Sequence, residues 1–186
     1  MSMIRKLVWL IVICCFIAQP ISANERVALG DGRVSFIPPT GFKQLTKKEI
    51  ARKYFRGNPP QYVFANDTVS TTVAVTFSNA KVLPEQLSEY REAMEAMFPR
   101  LVPGLQWLKR EFVVIDGRKW FHFEMTSYAI DTDIHNHLYS TSFDGKALIF
   151  GFNSTVKEYP KMKKVLEKSV QSIKLSEKDA TSRPAS

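Results

Sequence analysis

Apolar residues return along this chain with two different periods, and the segments that carry them alternate. Short β-branched or aromatic runs cover 26–29, 33–37, 62–65, 69–78, 112–115, 119–129, 134–143 and 147–153, and predict strands. A helical period governs three other segments. Thr46-Lys47-Lys48-Glu49 has the spacing of a capping box and predicts a helix over 47–55, halted by Gly57 and Pro59-Pro60. Pro84 suits a first helical turn, after which Leu87, Tyr90, Met94, Met97 and Phe98 recur on one stripe for about four turns. Pro160 opens a last helix over 158–173 in the same way, striped by Met162, Val165, Leu166, Val170 and Ile173.

Turn chemistry joins the strands. Asp116-Gly117 and Asp144-Gly145 are two-residue hairpin signals because both positions tolerate positive φ, and Gly30-Asp31-Gly32 and Asn66-Asp67 mark two more reversals. Tight hairpins require antiparallel pairing, so the expected class is α+β: an antiparallel β-sheet on which three amphipathic helices bury their stripes. Leu148-Ile149-Phe150 puts apolar side chains on both faces of one strand, which predicts a sheet flanked by helices on both faces.

The N-terminus follows another pattern. Arg5 and Lys6 precede an uncharged apolar run from Leu7 to Ala18, and Ile21-Ser22-Ala23 then places small side chains where a signal peptidase cuts, before Asn24. The run holds about 12 residues where a membrane-spanning helix needs roughly 20, so 1–23 is expected to be a cleaved signal peptide and the protein periplasmic or secreted. The remaining chain suits one domain over 24–175, followed by a disordered tail over 176–186 that lacks periodic apolar residues. Both cysteines, Cys14 and Cys15, lie in the signal, which excludes a disulfide scaffold and a cysteine nucleophile. Lipidation at Cys15 stays open.

The formal net charge is +8, with Lys47, Lys48, Arg52, Lys53 and Arg56 in one basic stretch and Lys157, Lys161, Lys163, Lys164 and Lys168 in another. Both fall on predicted helices and read first as solvated faces; the same charge suits a weak contact with an anionic membrane surface or an acidic protein. Nucleic acid is not expected as a partner of an exported chain.

Candidate chemistry is confined to the three histidines. Strand parity puts Trp120, His122, Glu124, Thr126 and Tyr128 on one face and Phe121, Phe123 and Met125 on the other, and it groups His135, His137 and Tyr139 in the same way. With the apolar sets on one side of the sheet, a tight loop at Asp131-Thr132 places Tyr128 opposite His135, Thr126 opposite His137 and Glu124 opposite Tyr139. His122, Glu124, His135 and His137 then share a face as candidate zinc or copper ligands, although His122 and His137 stand about two ladder steps apart, each of roughly 6.6 Å, too far for a tight shared site. The competing reading is a row of half-buried polar residues under a helix or loop. No catalytic residue is assigned, because Ser127, Ser140 and Ser142 lack the context of an activated nucleophile. No cofactor site is assigned either, since Gly30-Asp31-Gly32 lacks the helix start of a phosphate loop. Trp107 and Tyr54-Phe55 are large aromatics outside the predicted stripes, suited to docking a partner or to filling the core.

Phe36-Ile37-Pro38-Pro39-Thr40-Gly41-Phe42 and Ile115-Asp116-Gly117-Arg118-Lys119-Trp120, with the first hairpin before them, the capped helix and further strands between them and the closing helix after them, resemble the PsbP/DcrB-like exported proteins over about Val34–Leu175. The resemblance implies an α/β/α sandwich around an antiparallel sheet and a non-enzymatic protein-binding or assembly and maintenance factor, and it carries no active-site motif. Two other readings stand beside it: an immunity protein against a delivered toxin, and a metal-binding module built on His122, His135 and His137.

Overall fold

Two Asp-Gly turns set the frame. In a computed structural model describing residues 25–55, 57–129 and 131–176, Asp116 and Gly117 take φ of 52° and 71° and Asp144 and Gly145 take 52° and 70°, so each pair reverses the chain within two residues. The reversals join β6 (Gln106–Ile115) to β7 (Arg118–Tyr128) and β8 (Asp133–Phe143) to β9 (Lys146–Thr155), and the pairing of β7 with β8 completes an antiparallel meander. Before it come β1 (Val27–Leu29), β2 (Val34–Phe36), β3 (Lys43–Gln44), α1 (Lys47–Lys53), β4 (Tyr62–Ala65), β5 (Thr71–Lys81), a 3-10 turn at Pro84–Gln86 and α2 (Leu87–Leu101). After it come α3 (Tyr159–Gln171) and β10 (Lys174–Leu175).

The main sheet has seven strands in the order β3-β4-β5-β9-β8-β7-β6, all antiparallel. From β5 the chain crosses one face as α2, enters the far edge as β6 and returns strand by strand until β9 lies beside β5. Phe121, Phe123, Met125 and Ala147 bury that face against Leu87 and Phe98 of α2. The opposite face presents Val73, Val75, Trp120, Leu148, Phe150 and Phe152 to Leu166 and Val170 of α3. Helices thus lie on both faces, and Leu148, Ile149 and Phe150 serve the two cores alternately.

The α3 face also carries a second sheet, β1-β2-β10: its β1–β2 hairpin follows the strands expected at 26–29 and 33–37, while β10 and the separation from the main sheet were not predicted by the apolar pattern. Leu29, Val34, Phe36 and Leu175 bring it into the same core as Trp120 and Phe150. Polar fastenings hold its last strand. The Ser169 hydroxyl donates to the Ile37 carbonyl at 2.7 Å, the Ile37 amide donates to Ser172 Oγ at 2.7 Å, and Asp116 accepts from Lys174 Nζ at 2.7 Å and from the Leu175 amide at 2.8 Å. Ser176, expected to begin a tail, donates its amide to the Arg33 carbonyl at 2.9 Å. The expected signal at 1–23 and the rest of the expected tail, 177–186, lie outside the described residues.

Elsewhere the local chemistry performs as its residue types dictate. Thr46 and Glu49 close the capping box in both directions, at 3.3 Å and 2.7 Å. The start of β6 is corrected, since the strand begins at Gln106 rather than near Phe112; of the two roles open to Trp107 the structure gives core packing, with the indole stacked on Phe98 at 6.0 Å and edge-on to Phe123 at 5.1 Å. Among the described residues no helix is long and apolar enough to cross a membrane.

Asp116 links the β6–β7 turn to β10, and this linkage has a pH signature. Burial alone would raise its carboxyl, but Lys174 and the Leu175 amide outweigh that and hold it below the ordinary value of 3.8. A depressed folded-state pKa contributes stability that is present above the unfolded value and lost as pH falls below it. Asp116→Asn is therefore expected to lower stability at pH 7 by about 1–2 kcal/mol, with the gap to wild type closing as pH drops below 3.8. Thermal melts followed by circular dichroism at pH 7 and pH 3 check this; a gap that is the same at both values contradicts it.

Candidate functional site

The β7–β8 register decides which side chains meet. The ladder pairs Tyr128 with Asp133, Thr126 with His135, Glu124 with His137 and His122 with Tyr139. This differs by two residues from the register expected from a tight loop at Asp131-Thr132. The loop spans 129–132 instead, closed by the Ala129 amide donating to the Thr132 carbonyl at 2.8 Å. A slip of two leaves every side chain on its expected face, because side chains alternate with period two. It does change the neighbours. His137 now stands opposite Glu124 and diagonal to His122, and the distance objection to a shared site is overturned.

The four candidate residues form one connected group on the α3 face of the sheet, beyond the end of the apolar core. His122 Nε2 lies 3.0 Å from His137 Nδ1, and His135 Nε2 lies 2.9 Å from Glu124 Oε1. His137 Nε2 lies 3.9 Å from the same carboxylate oxygen. One ligand atom each from His122, Glu124 and His137 can be chosen so that all three lie within 4.8 Å of one another. His135 stands outside that triplet as a partner of Glu124.

Four further residues complete the surroundings. Glu111 Oε1 lies 3.2 Å from His122 Nδ1, and Tyr159, the first residue of α3, places its hydroxyl 2.9 Å from His137 Nε2. The Tyr159 ring stacks on His135 with centroids 3.5 Å apart, and the Tyr139 ring stacks on His122 at 4.3 Å. Lys109 Nζ stands 3.6 Å from Glu124 Oε2. Glu111 was within reach of sequence reasoning: a two-residue turn at Asp116-Gly117 sets Glu111 opposite His122, provided the strand is extended back past Phe112. Tyr159 carries no such signal, because its place depends on how α3 packs.

Burial sets the protonation of the group. It pushes the His137 imidazole down to about 4 and moves His122 in the same direction, so both rings are neutral at neutral pH. Burial works against ionising Glu124, but the His135 hydrogen bond and the Lys109 charge help to keep its carboxyl below the ordinary range. Burial next to Glu124 raises Tyr159 to about 12. The face thus offers neutral imidazoles and an ionised carboxylate, a set of lone-pair donors.

Nothing comparable surrounds the serines. Ser142 donates to the Val82 carbonyl at 2.6 Å, Ser127 accepts from Asn136 Nδ2 at 2.9 Å, and Ser140 is buried on the α2 side of β8. Among the described residues no serine is hydrogen-bonded to a histidine. An open depression of about 390 Å³ lies at the far end of the sheet, where Arg33 is paired with Asp31 and Asp144 and stacked over Phe143.

No family model and no curated protein matches the sequence. Solved structures match the fold. Cyanobacterial PsbP from Synechocystis sp. PCC 6803 is 15% identical with a TM-score of 0.60, over 86% of this chain and 96% of that one. LpqN, involved in cell envelope biogenesis of Mycobacterium tuberculosis, is 10% identical with a TM-score of 0.51, over 83% and 91%. The Ran-binding protein Mog1p of Saccharomyces cerevisiae is 12% identical with a TM-score of 0.50, over 82% and 95%. The fold is PsbP-like.

Tyr159→Phe tests how α3 is seated on the cluster. Removing the hydroxyl leaves His137 Nε2 without its partner while the ring stack on His135 persists, so a loss of about 1–2 kcal/mol is expected. Urea unfolding with a chelator present measures it, and a midpoint equal to that of wild type contradicts it.

Proposed function

We propose that this chain is an exported, non-enzymatic factor that acts by binding another protein, in an assembly or maintenance role. The observation that carries the reading is the open edge of the main sheet. β6 is ten residues long and, among the described residues, pairs on one side only, with β7. Its Leu108, Phe112 and Val114 are exposed, Val114 to 75%, and Leu101 at the end of α2 is exposed to 63%. Exposed apolar side chains along an unpaired strand suit the addition of an extended segment from a partner, with backbone hydrogen bonds supplying affinity and the apolar groups selectivity. Lys109, Arg110 and Glu111 interrupt the row with charge, the usual protection of an edge against pairing with its own copies.

The fold supports the same class, since it is shared with a PsbP, with a Ran-binding protein and with a protein of cell envelope biogenesis. Export rests on Arg5, Lys6 and the apolar run to Ala18. The buried cluster adds no nucleophile, and its imidazoles are partnered to carboxylate, imidazole or phenol groups.

Two measurements test the reading. Mass spectrometry of protein recovered from the cell envelope is expected to find a chain beginning at Asn24; full-length chain confined to the cytosol refutes export. Crosslinked partners are expected to fall about tenfold or more in Leu108→Glu/Val114→Glu, with no loss in Val165→Glu on α3 as a matched surface control. Equal recovery from both variants refutes the β6 edge as the binding surface.

A further inference from the structure

We propose that His122, Glu124 and His137 bind one zinc ion, with Glu111, His135 and Tyr159 orienting them. This goes beyond the protein-binding role and does not depend on it. Two imidazoles and one carboxylate make the donor set of a three-ligand zinc site, in which the fourth position is left to water or to a partner's side chain. Tetrahedral coordination at about 2.0–2.1 Å requires donor atoms about 3.3 Å apart. His122 Nε2 and His137 Nδ1 already stand 3.0 Å apart, and one donor atom from each of the three residues can be chosen so that all lie within 4.8 Å of one another, which leaves a movement of the Glu124 side chain to close the set.

The outer contacts match what such a site requires. A zinc-bound imidazole donates its second N–H to a carboxylate or another oxygen, which fixes the tautomer and points the remaining lone pair at the ion. Glu111 occupies that place for His122, and the Tyr159 hydroxyl occupies it for His137. His135 holds Glu124 Oε1, and Glu124 Oε2, which faces Lys109 Nζ at 3.6 Å, turns away from that exposed lysine to meet the ion. All three ligands project from adjacent, fully paired strands, so the backbone holds them close to the geometry the ion needs.

Uptake of Zn²⁺ by the full chain, stripped with chelator and dialysed, tests the assignment by calorimetry. Wild type is expected to bind one Zn²⁺ per chain with a Kd of about micromolar or tighter and to melt several degrees higher with the ion, while Mg²⁺ does neither. His137→Gln and Glu124→Gln are expected to weaken binding by about 100-fold or more, and Glu111→Gln by about 10–100-fold. Because a buried substitution can unfold the protein, His137→Cys serves as the conservative variant: it keeps a zinc ligand and is expected to retain uptake where His137→Gln loses it. Co²⁺ in place of Zn²⁺ is expected to give the intense visible absorption of four-coordinate cobalt, lost in His122→Gln. No uptake by wild type, uptake of Mg²⁺ equal to that of Zn²⁺, or unchanged affinity in His122→Gln/His137→Gln overturns the assignment.

Discussion

The register of the β6–β9 meander is the constraint on which the rest of this structure depends. Side chains on a sheet have a period of two, so each pairing decides at once what enters a core and what meets across a face. The Asp-Gly turns place Phe112 opposite Phe121 and Thr141 opposite Leu148. Once these rows are set, Phe121, Phe123 and Met125 can only face α2, and Trp120, His122 and Glu124 can only face α3. Both cores and the polar cluster are consequences of one alignment.

Those parts of the alignment that depend on strictly local chemistry were legible in the sequence. Asp and Gly at positive φ, the Thr46–Glu49 box, Pro84 in the 3-10 turn that leads into α2 and Pro160 in the first turn of α3 act within a few residues, so the pattern reveals them. The loop after Tyr128 has no such marker. Asp131 and Thr132 suit a tight turn as well as the wider loop observed, and the choice moved His137 from Thr126 to Glu124 without moving it to the other face. The candidate residues could therefore be named and their shared face inferred, while their mutual distances could not. The strands β3 and β10, two residues each, are set by pairing partners rather than by any pattern of their own.

The two faces of the sheet divide the chemistry. Under α2 the packing is apolar and aromatic along most of its length, with Phe98, Trp107 and Phe123 in mutual contact. Under α3 the apolar layer gives way to imidazoles, carboxylates and tyrosines around the first residue of the helix. Burying so many polar groups is tolerated because each has a partner: Glu111, Glu124, Tyr139 and Tyr159 hydrogen-bond to or stack on the three rings. Beyond both faces, β6 leaves one strand edge unpaired among the described residues, beside exposed apolar groups, which is where the sheet can still be extended.

The crossing from β5 over α2 to the far edge also governs how the molecule assembles. Each hairpin of the meander closes between near neighbours, whereas Thr71 bonds to Ser154 across a separation of 83 residues. Arg26 reaches Ser172 across 146. Contacts between such distant positions form slowly, because loop-closure entropy must be overcome before they return any stabilisation. On a chain that emerges N-terminus first, the opening third must wait, strand edges unsatisfied, for the last-made strands to arrive.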